Sequence, residues 1–294
     1  MGVVRSVYHW LVRAALVAAT ALICFNSAAA DAVARSPDLG IRPIRIDRGR
    51  LRGCLLLHGW LSTPLDFGDL PRALDEAGWD VHVPLHPGHG RRPADMAGVT
   101  GEQLLASARD HYRDMRARYG DVALIGFSMG GTIAMILASE EPPERMVLVA
   151  PFCDVCHKWY YGLRAQTWWR LLSPFVQYVV RPPGLTRLNR PDGRDRIVAY
   201  RAYPATALGA LMEIRRRART DVVPGTLAMP VLLVHSSADE TCSWTAARRV
   251  VAQMPRAVLP EAGFHRSNHH LLHDHERAEA VAEIVRFLSA RETP

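Results

Sequence analysis

One stretch of the chain admits very few backbone paths: Gly126-Phe127-Ser128-Met129-Gly130-Gly131. The apolar run Val122 to Ile125 comes before it, and the run Thr132 to Ala138 follows. That order reads as strand, sharp turn and helix, with a serine at the apex. Gly126 and Gly130 fit the G-x-S-x-G pattern of a nucleophile elbow. In such a turn the serine backbone is strained, and residues two positions to either side must be small. Ser128 Oγ is then expected to stand clear of a sheet, at a helix N-terminus that favours negative charge. The plain alternative is a glycine-rich turn holding an incidental serine; the flanking strand and helix weigh against it.

The rest of the chain repeats that alternation. Strand-like runs occur at Cys54 to Leu57, Val81 to Val83, Met146 to Val149, Val231 to Val234 and Ala257 to Leu259. Helix-like runs separate them at Leu70 to Ala77, Gly101 to Tyr119, Trp244 to Gln253 and Ala278 to Ala290. Such alternation predicts an α/β fold: a mostly parallel, twisted sheet with helices on both faces. The rhythm breaks between residues 152 and 212, which read as a small helical cap inserted into a core of residues 31–151 and 213–294. The cap carries Trp159, Tyr160, Tyr161, Trp168, Trp169, Phe175 and Tyr178, with many arginines and few acids. The 294 residues suffice for one such domain plus the insertion. A net charge of +7 comes with no zinc-finger spacing or RNA-binding aromatic motif, so nucleic acid is not expected as a partner.

Residues 1–30 stand apart. Arg5 and Arg13 make the start basic, Ala14 to Phe25 is apolar, and Ser27-Ala28-Ala29-Ala30-Asp31 offers an A-x-A site. This reads as an export signal cut after Ala30, or as an uncleaved membrane anchor. Export makes disulfides possible. Cys153 and Cys242 follow neighbouring strands, so Cys242 is expected to pair with Cys153 or Cys156, with Cys54 a free core thiol. No ligand set completes a zinc site with Cys153 and Cys156, and no cofactor or metal is expected.

A serine hydroxyl needs a base to become a nucleophile, and the base needs an orienter. In an elbow architecture the acid and then the histidine follow the serine in the chain. Asp239 lies just past the strand ending near His235; Glu240 is its close competitor and Asp154 a distant one. His269 lies between the last strand and the last helix, with His270 and His265 behind it as candidates. His273 and His275 read as surface residues, and a metal site from His269 and His273 lacks a supporting carboxylate pattern. Two backbone N–H groups must hold the oxyanion. Met129, after the serine, and Trp60, in the loop His58-Gly59-Trp60, are the expected donors, with His58 structural.

His58-Gly59-Trp60, Pro87-Gly88-His89-Gly90, the elbow, Asp239 and Ser267-Asn268-His269 together resemble the α/β-hydrolase superfamily. The likeness is closest to small bacterial carboxylesterases and monoacylglycerol-lipase-like enzymes, and runs from about residue 50 to 290. Ser267 to Leu288, with Asp274, Glu276 and Phe287, is similar to that group's region from the histidine through the final helix. The resemblance implies a triad of Ser128, Asp239 and His269, oxyanion donors at Trp60 and Met129, an acyl-enzyme, and a cap over the site. It implies a serine carboxylester hydrolase acting on small-molecule esters or lipids. An acyltransferase with the same triad and a non-catalytic lipid-binding protein are the rival readings. The cap is more basic and richer in tryptophan than the pattern. With Arg215, Arg216, Arg217 and Arg219 it fits contact with an anionic membrane or a phospholipid-like ester, the plain alternative being a solvated helix face.

Overall fold

Residues alternate sides along a strand, so a strand apolar at every position must be covered on both faces. The four central strands carry such runs: Cys54 to Leu57 in β2 (Arg52–Leu57), Val122 to Phe127 in β4 (Asp121–Phe127), Met146 to Val149 in β5 (Arg145–Val149) and all of β8 (Val231–Val234). In the computed structural model, which describes residues 2–157, 162–181, 188–260 and 263–290, Leu55 and Leu57 enter one apolar cluster. Cys54 and Leu56 enter the other, on the opposite face. Helices α3 (Gly101–Arg118), α4 (Met129–Glu140), α6 (Thr206–Asp221) and α7 (Trp244–Val251) cover the first face. Helices α2 (Leu70–Glu76) and α8 (Arg277–Ser289) cover the second.

The sheet has seven strands in the order β1-β3-β2-β4-β5-β8-β9, where β3 is Asp80–Val83 and β9 is Ala257–Val258. All neighbours are parallel except β1 (Ile44–Ile46), which runs antiparallel to β3 at one edge. That edge strand is three residues long with an exposed arginine at its centre, so it leaves no run for periodicity to detect. From β2 the chain moves outward to β3 and then returns to β4 on the other side of β2. Such a reversal opens a crevice at the carboxyl ends of the two strands. The loop His58-Gly59-Trp60 and Ser128 both emerge into it.

Local signals set the element ends. Thr100 and Gln103 form a capping box at the start of α3, and Arg116 and Arg118 lie in its last turn, favourable against the helix dipole. Ten of the twelve residues of α4 are buried, which makes it a core helix.

The cap departs from the all-helical expectation. It holds the short helix α5 (Ala165–Leu172) and an antiparallel ribbon of β6 (Tyr178–Val180) and β7 (Ala202–Pro204). The boundary expected at residue 212 falls inside α6, whose Ala210, Leu211 and Ile214 pack into the core. Trp159, Tyr160 and Tyr161 lie outside the described residues. The first element, α1 (Gly2–Ala34), is continuous past Ala30, and its C-terminal part packs on β6 and β7.

Gly130 is where side-chain volume decides the fold. A Cβ there would lie 1.9 Å from the Leu57 carbonyl oxygen and 2.8 Å from that of His58, both backbone atoms that cannot yield cheaply. Gly130→Ala is expected to cost about 3 kcal/mol, as overpacking does. The melting temperature then falls by roughly 6–12 °C for a chain of this size. Gly209→Ala in α6, where a Cβ meets nothing within 4 Å, serves as the control and should leave it level or raise it. A Gly130→Ala protein as stable as the parent would contradict the close approach of helix and loop.

Candidate active site

At the turn between β4 and α4, Ser128 has φ 52° and ψ −116°, a left-handed backbone that a serine rarely adopts. Its strain is held by hydrogen bonds on both sides. Ser128 N–H donates to Val149 O at 2.9 Å, and Phe152 N–H donates to Ser128 O at 3.0 Å. The turn aims Ser128 Oγ at His269, whose Nε2 lies 3.0 Å away. His269 Nδ1 lies 2.7 Å from Asp239 Oδ2. Three residues separated by 111 and 30 positions of chain thus form one hydrogen-bonded relay.

Asp239 is fully enclosed. Its Oδ1 accepts from Thr241 N–H at 2.7 Å and Cys242 N–H at 2.9 Å. Its Oδ2 is shared by His269 and by His235, whose Nε2 lies 3.0 Å away. Burial works against the Asp239 charge, but the His269 and His235 imidazoles outweigh it and hold the carboxyl well below its ordinary range. In the sequence His235 reads only as a strand end. Its signal was its place at the C-terminal edge of β8, four residues before the acid.

The loop that carries His269 is pinned by two buried carboxylates. Asp274 accepts the N–H groups of Asn268, Asn189 and Arg190 at 2.7, 2.8 and 2.8 Å. Glu276 accepts those of His265, Arg266 and Ser267. Asn189 and Arg190 belong to the cap, so this network also ties the cap to the loop that carries His269.

The rival candidates go elsewhere. His265 has an exposed ring. His270 turns toward Asp66, with Nδ1 3.6 Å from Oδ1. His273, expected at the surface, is buried, and its Nε2–H donates to Leu65 O at 2.8 Å. His275 is exposed. Asp154 pairs with Arg215 at 2.7 Å, and that arginine is buried rather than part of a solvated run. Arg217 pairs with Glu102, which leaves Arg216 and Arg219 as the exposed members of the run.

On the other side of Ser128, His58 sits wholly buried with both ring nitrogens committed. Nδ1–H donates to Gly59 O at 2.8 Å, and Nε2 accepts His86 N–H at 3.1 Å. His89 Nε2 accepts Leu61 N–H at 3.2 Å, and Asp66 accepts Gly59 N–H at 3.0 Å. Burial lowers the imidazoles of His58, His86 and His89, which keeps them neutral, and raises the Asp66 carboxyl to about 6. These groups engage the N–H groups on either side of Trp60. Among the described residues, no protein acceptor takes Trp60 N–H. Met129 opens α4, so its N–H has no acceptor in its own helix.

Residues 51–276, the stretch from β2 to the carboxylate behind the His269 loop, match the hydrolase family of the serine aminopeptidase S33 type. The chain belongs to that family. It is similar, at 29% identity over 79% of its length, to the pimeloyl-[acyl-carrier protein] methyl ester esterase of Aromatoleum aromaticum, 97% of which is covered. It is 34% identical to the thermostable monoacylglycerol lipase of Bacillus sp. strain H-257 over 35% of the chain, and that match spans only 41% of the lipase. The fold superposes on a chain from the structural work on the metagenome-derived lipolytic enzymes LipS and LipT with a TM-score of 0.74 at 19% identity, covering 86% of this chain and 99% of that one. The monoacylglycerol lipase of Paleococcus ferrophilus follows at 0.69 and 18%, with 84% and 97% covered. The fold is that of α/β-hydrolases.

In this S33-family chain a cavity of about 380 Å³ opens on Ser128. Its wall is mainly apolar, with Phe152, Val155, Trp169, Leu208, Leu211 and Met212 on the cap side. Of the described cap aromatics, Phe152, Trp169 and Tyr203 line this cavity while Trp168 and Phe175 face outward.

The expected disulfide does not form: Cys242 keeps a free thiol, as does Cys153. The loops after β5 and β8 do meet, but they pair through backbone. Cys156 N–H donates to Thr241 O at 2.9 Å, and Ser243 N–H donates to Asp154 O at 2.8 Å. That pairing turns Cys242 inward, with Sγ 3.9 Å from Ser128 Oγ and 4.0 Å from His269 Nε2. Cys54 is buried in β2, as expected. Asp239, Cys242 and His269 offer three donor atoms within 4.8 Å of one another. The carboxylate and the imidazole among them are already engaged with each other and with Ser128. Burial pushes the Cys242 thiol up, so it adjoins His269 as a neutral group.

Burial opposes a charged His269, but the Asp239 carboxylate outweighs it and carries the imidazole well above its ordinary 6.5. Only the uncharged ring can take the Ser128 proton. The kcat/KM of an ester is therefore expected to fall as pH drops through this raised value, with the midpoint of the ascending limb above about 6.5. A pH–rate profile on a neutral ester checks this. A midpoint below the ordinary histidine value would show that Asp239 does not stabilise the imidazolium.

Proposed function

We propose that the protein is a serine carboxylester hydrolase. Ser128 Oγ attacks the ester carbonyl carbon while His269 Nε2 takes its proton. The oxyanion accepts the N–H groups of Trp60 and Met129. Collapse expels the alcohol, which leaves with the proton from His269, and the acyl group stays on Ser128. Water then attacks that acyl group, passes a proton to His269, and the second collapse frees the acid and restores Ser128. Asp239 keeps His269 Nδ1 protonated and oriented throughout.

One observation carries this reading: the relay Ser128–His269–Asp239, at 3.0 and 2.7 Å, opens through Ser128 and His269 onto an apolar cavity of about 380 Å³. That size and lining suit an acyl chain. Monoacylglycerols, lysophospholipids and short- to medium-chain esters are the substrate classes it fits. The lipase and esterase relatives support the same class of bond. An exported or membrane-anchored protein, with the cap touching lipid, agrees with the apolar first helix.

The family's aminopeptidase label gives a second reading, and Glu240 on the cavity wall is a group that could hold a substrate amine. The test is a panel of p-nitrophenyl esters of increasing acyl length beside aminoacyl p-nitroanilides, with fluorophosphonate labelling of Ser128. Ester turnover with labelling is the expected result. Anilide turnover alone would favour the peptidase, and an unlabelled, inert protein would leave lipid binding. Adding glycerol to the ester assay and measuring the product ratio separates hydrolysis from acyl transfer.

A further inference from the structure

One face of α1 belongs to the folded body. Leu22, Asn26, Ala29, Ala30 and Val33 are the part-buried or buried positions of its second half, and their spacing is that of a single helical face. Ala29 is 2% exposed and Val33 5%. Asn26 sits in the middle and clips the cap backbone with both ends of its amide. Its Nδ2–H donates to Phe175 O at 2.9 Å, and its Oδ1 accepts Gln177 N–H at 2.9 Å. The clip closes at the entry to the ribbon of β6 and β7, against which the helix packs.

The remainder of α1 is exposed and apolar, with Trp10, Leu16, Val17, Ile23 and Phe25 turned outward. Beside the clip the cap exposes Leu163, Trp168, Leu171, Leu172 and Phe175, the last at 59%. Two apolar surfaces therefore meet at one hydrogen-bonded joint. We propose that α1 remains on the mature protein as a membrane anchor, and that Asn26 seats the apolar cap face on a bilayer beside it, so that the cavity over Ser128 fills from the lipid phase. Only that last step rests on the ester-hydrolase reading.

Length agrees with a span. His9 to Ala28 is a helix of about 30 Å at 1.5 Å per residue, the thickness of the hydrocarbon core. Its one charged side chain, Arg13, is near the outer end, where a long arginine reaches the headgroups. Charge also agrees. Residues 152–212 hold eight arginines and one lysine against three aspartates, a surplus that attracts anionic lipid. A short path agrees too. Trp168 of α5 faces outward while its neighbour Trp169 lines the cavity, so one helix separates the apolar surface from the site. A cut after Ala30 would break an unbroken helix, remove the clip, and leave Phe175 O and Gln177 N–H without these partners.

The test uses the full chain with a C-terminal tag, expressed in bacteria, as wild type and as Ser128→Ala. Intact mass should retain residues 2–30, and both proteins should stay in membranes washed with carbonate and high salt. A mass starting at Asp31, or release by the wash, overturns the anchor whatever the catalytic result. Asn26→Ala is then assayed in vesicles of anionic and zwitterionic lipid. Hydrolysis of a monoacylglycerol in the vesicle should drop at least fivefold, while p-nitrophenyl butyrate in water stays within twofold. Equal losses on both substrates, or none, would overturn the seating role. A dimer dissolved by Leu171→Glu with vesicle binding unchanged would assign the cap face to a second copy and overturn the bilayer as its partner. If the wild type cleaves neither ester, the reading of Ser128 fails while mass and fractionation still decide the anchor.

Discussion

Replacing Ser128 with alanine is expected to lower kcat/KM for a p-nitrophenyl ester by about 10⁴–10⁶-fold, the range lost when a triad nucleophile is removed. Alanine occupies the same volume as the serine stem and keeps the elbow backbone, so the fold should survive. The bonds that hold the turn are made by the backbone of residue 128 and its neighbours Val149 and Phe152, not by Oγ. What disappears is the one oxygen within reach of His269 Nε2 in this relay. The oxyanion donors proposed at Trp60 and Met129 remain, and a residual rate is expected from them. Steady-state kinetics with a melting temperature taken alongside makes the check. A loss smaller than tenfold in a normally melting protein would remove Ser128 from the chemistry. Fluorophosphonate labelling should vanish in the same variant.

Asp239→Asn is expected to cost about 10³–10⁴-fold in kcat/KM, and stability besides. Four donors converge on this carboxylate: Thr241 N–H and Cys242 N–H on one oxygen, His235 and His269 on the other. An asparagine must turn its NH₂ toward one of those pairs, where donor meets donor. If it faces the histidines, His269 flips to the wrong tautomer and loses its hold on the Ser128 proton. If it faces the backbone, two buried N–H groups lose their acceptor, at about 1–3 kcal/mol each. The surviving His269 also loses the charge that raises its pKa, so the ascending limb of the pH profile should move to lower pH. The measurements are kcat/KM, its pH dependence and the melting temperature. An Asp239→Asn protein within tenfold of wild type would point instead to Glu240. That residue shares the loop, and its N–H is held by Asn268 Oδ1 at 3.1 Å.

The elements that proved readable are those whose signal is local and repeated. The central strands are runs buried on both faces, and α3 carries its own capping box. The elbow is readable for a harder reason: at Gly126 and Gly130 a Cβ would meet backbone at 2.4 and 1.9 Å, so volume alone forces the residue type. The relay of Ser128, Asp239 and His269 was reachable from chain order and loop position. Its rivals were not dismissed by sequence. His269 and His270 are adjacent, yet one ring reaches Ser128 and the other turns to Asp66. A loop side chain's direction depends on what pins its backbone, and here that is Asp274 and Glu276, with Asp274 also holding the cap at Asn189.

Sequence by itself therefore determined the sheet, the elbow and the loops on which Ser128, Asp239 and His269 stand, because each is written in the size and apolarity of neighbouring residues. Tertiary structure alone decided the inward turn of Cys242, the second imidazole on Asp239, the burial of Arg215 and His273, and the joint between Asn26 and the cap. Each of these depends on atoms brought together from distant positions, and an isolated residue has the same chemistry whichever neighbour it will meet.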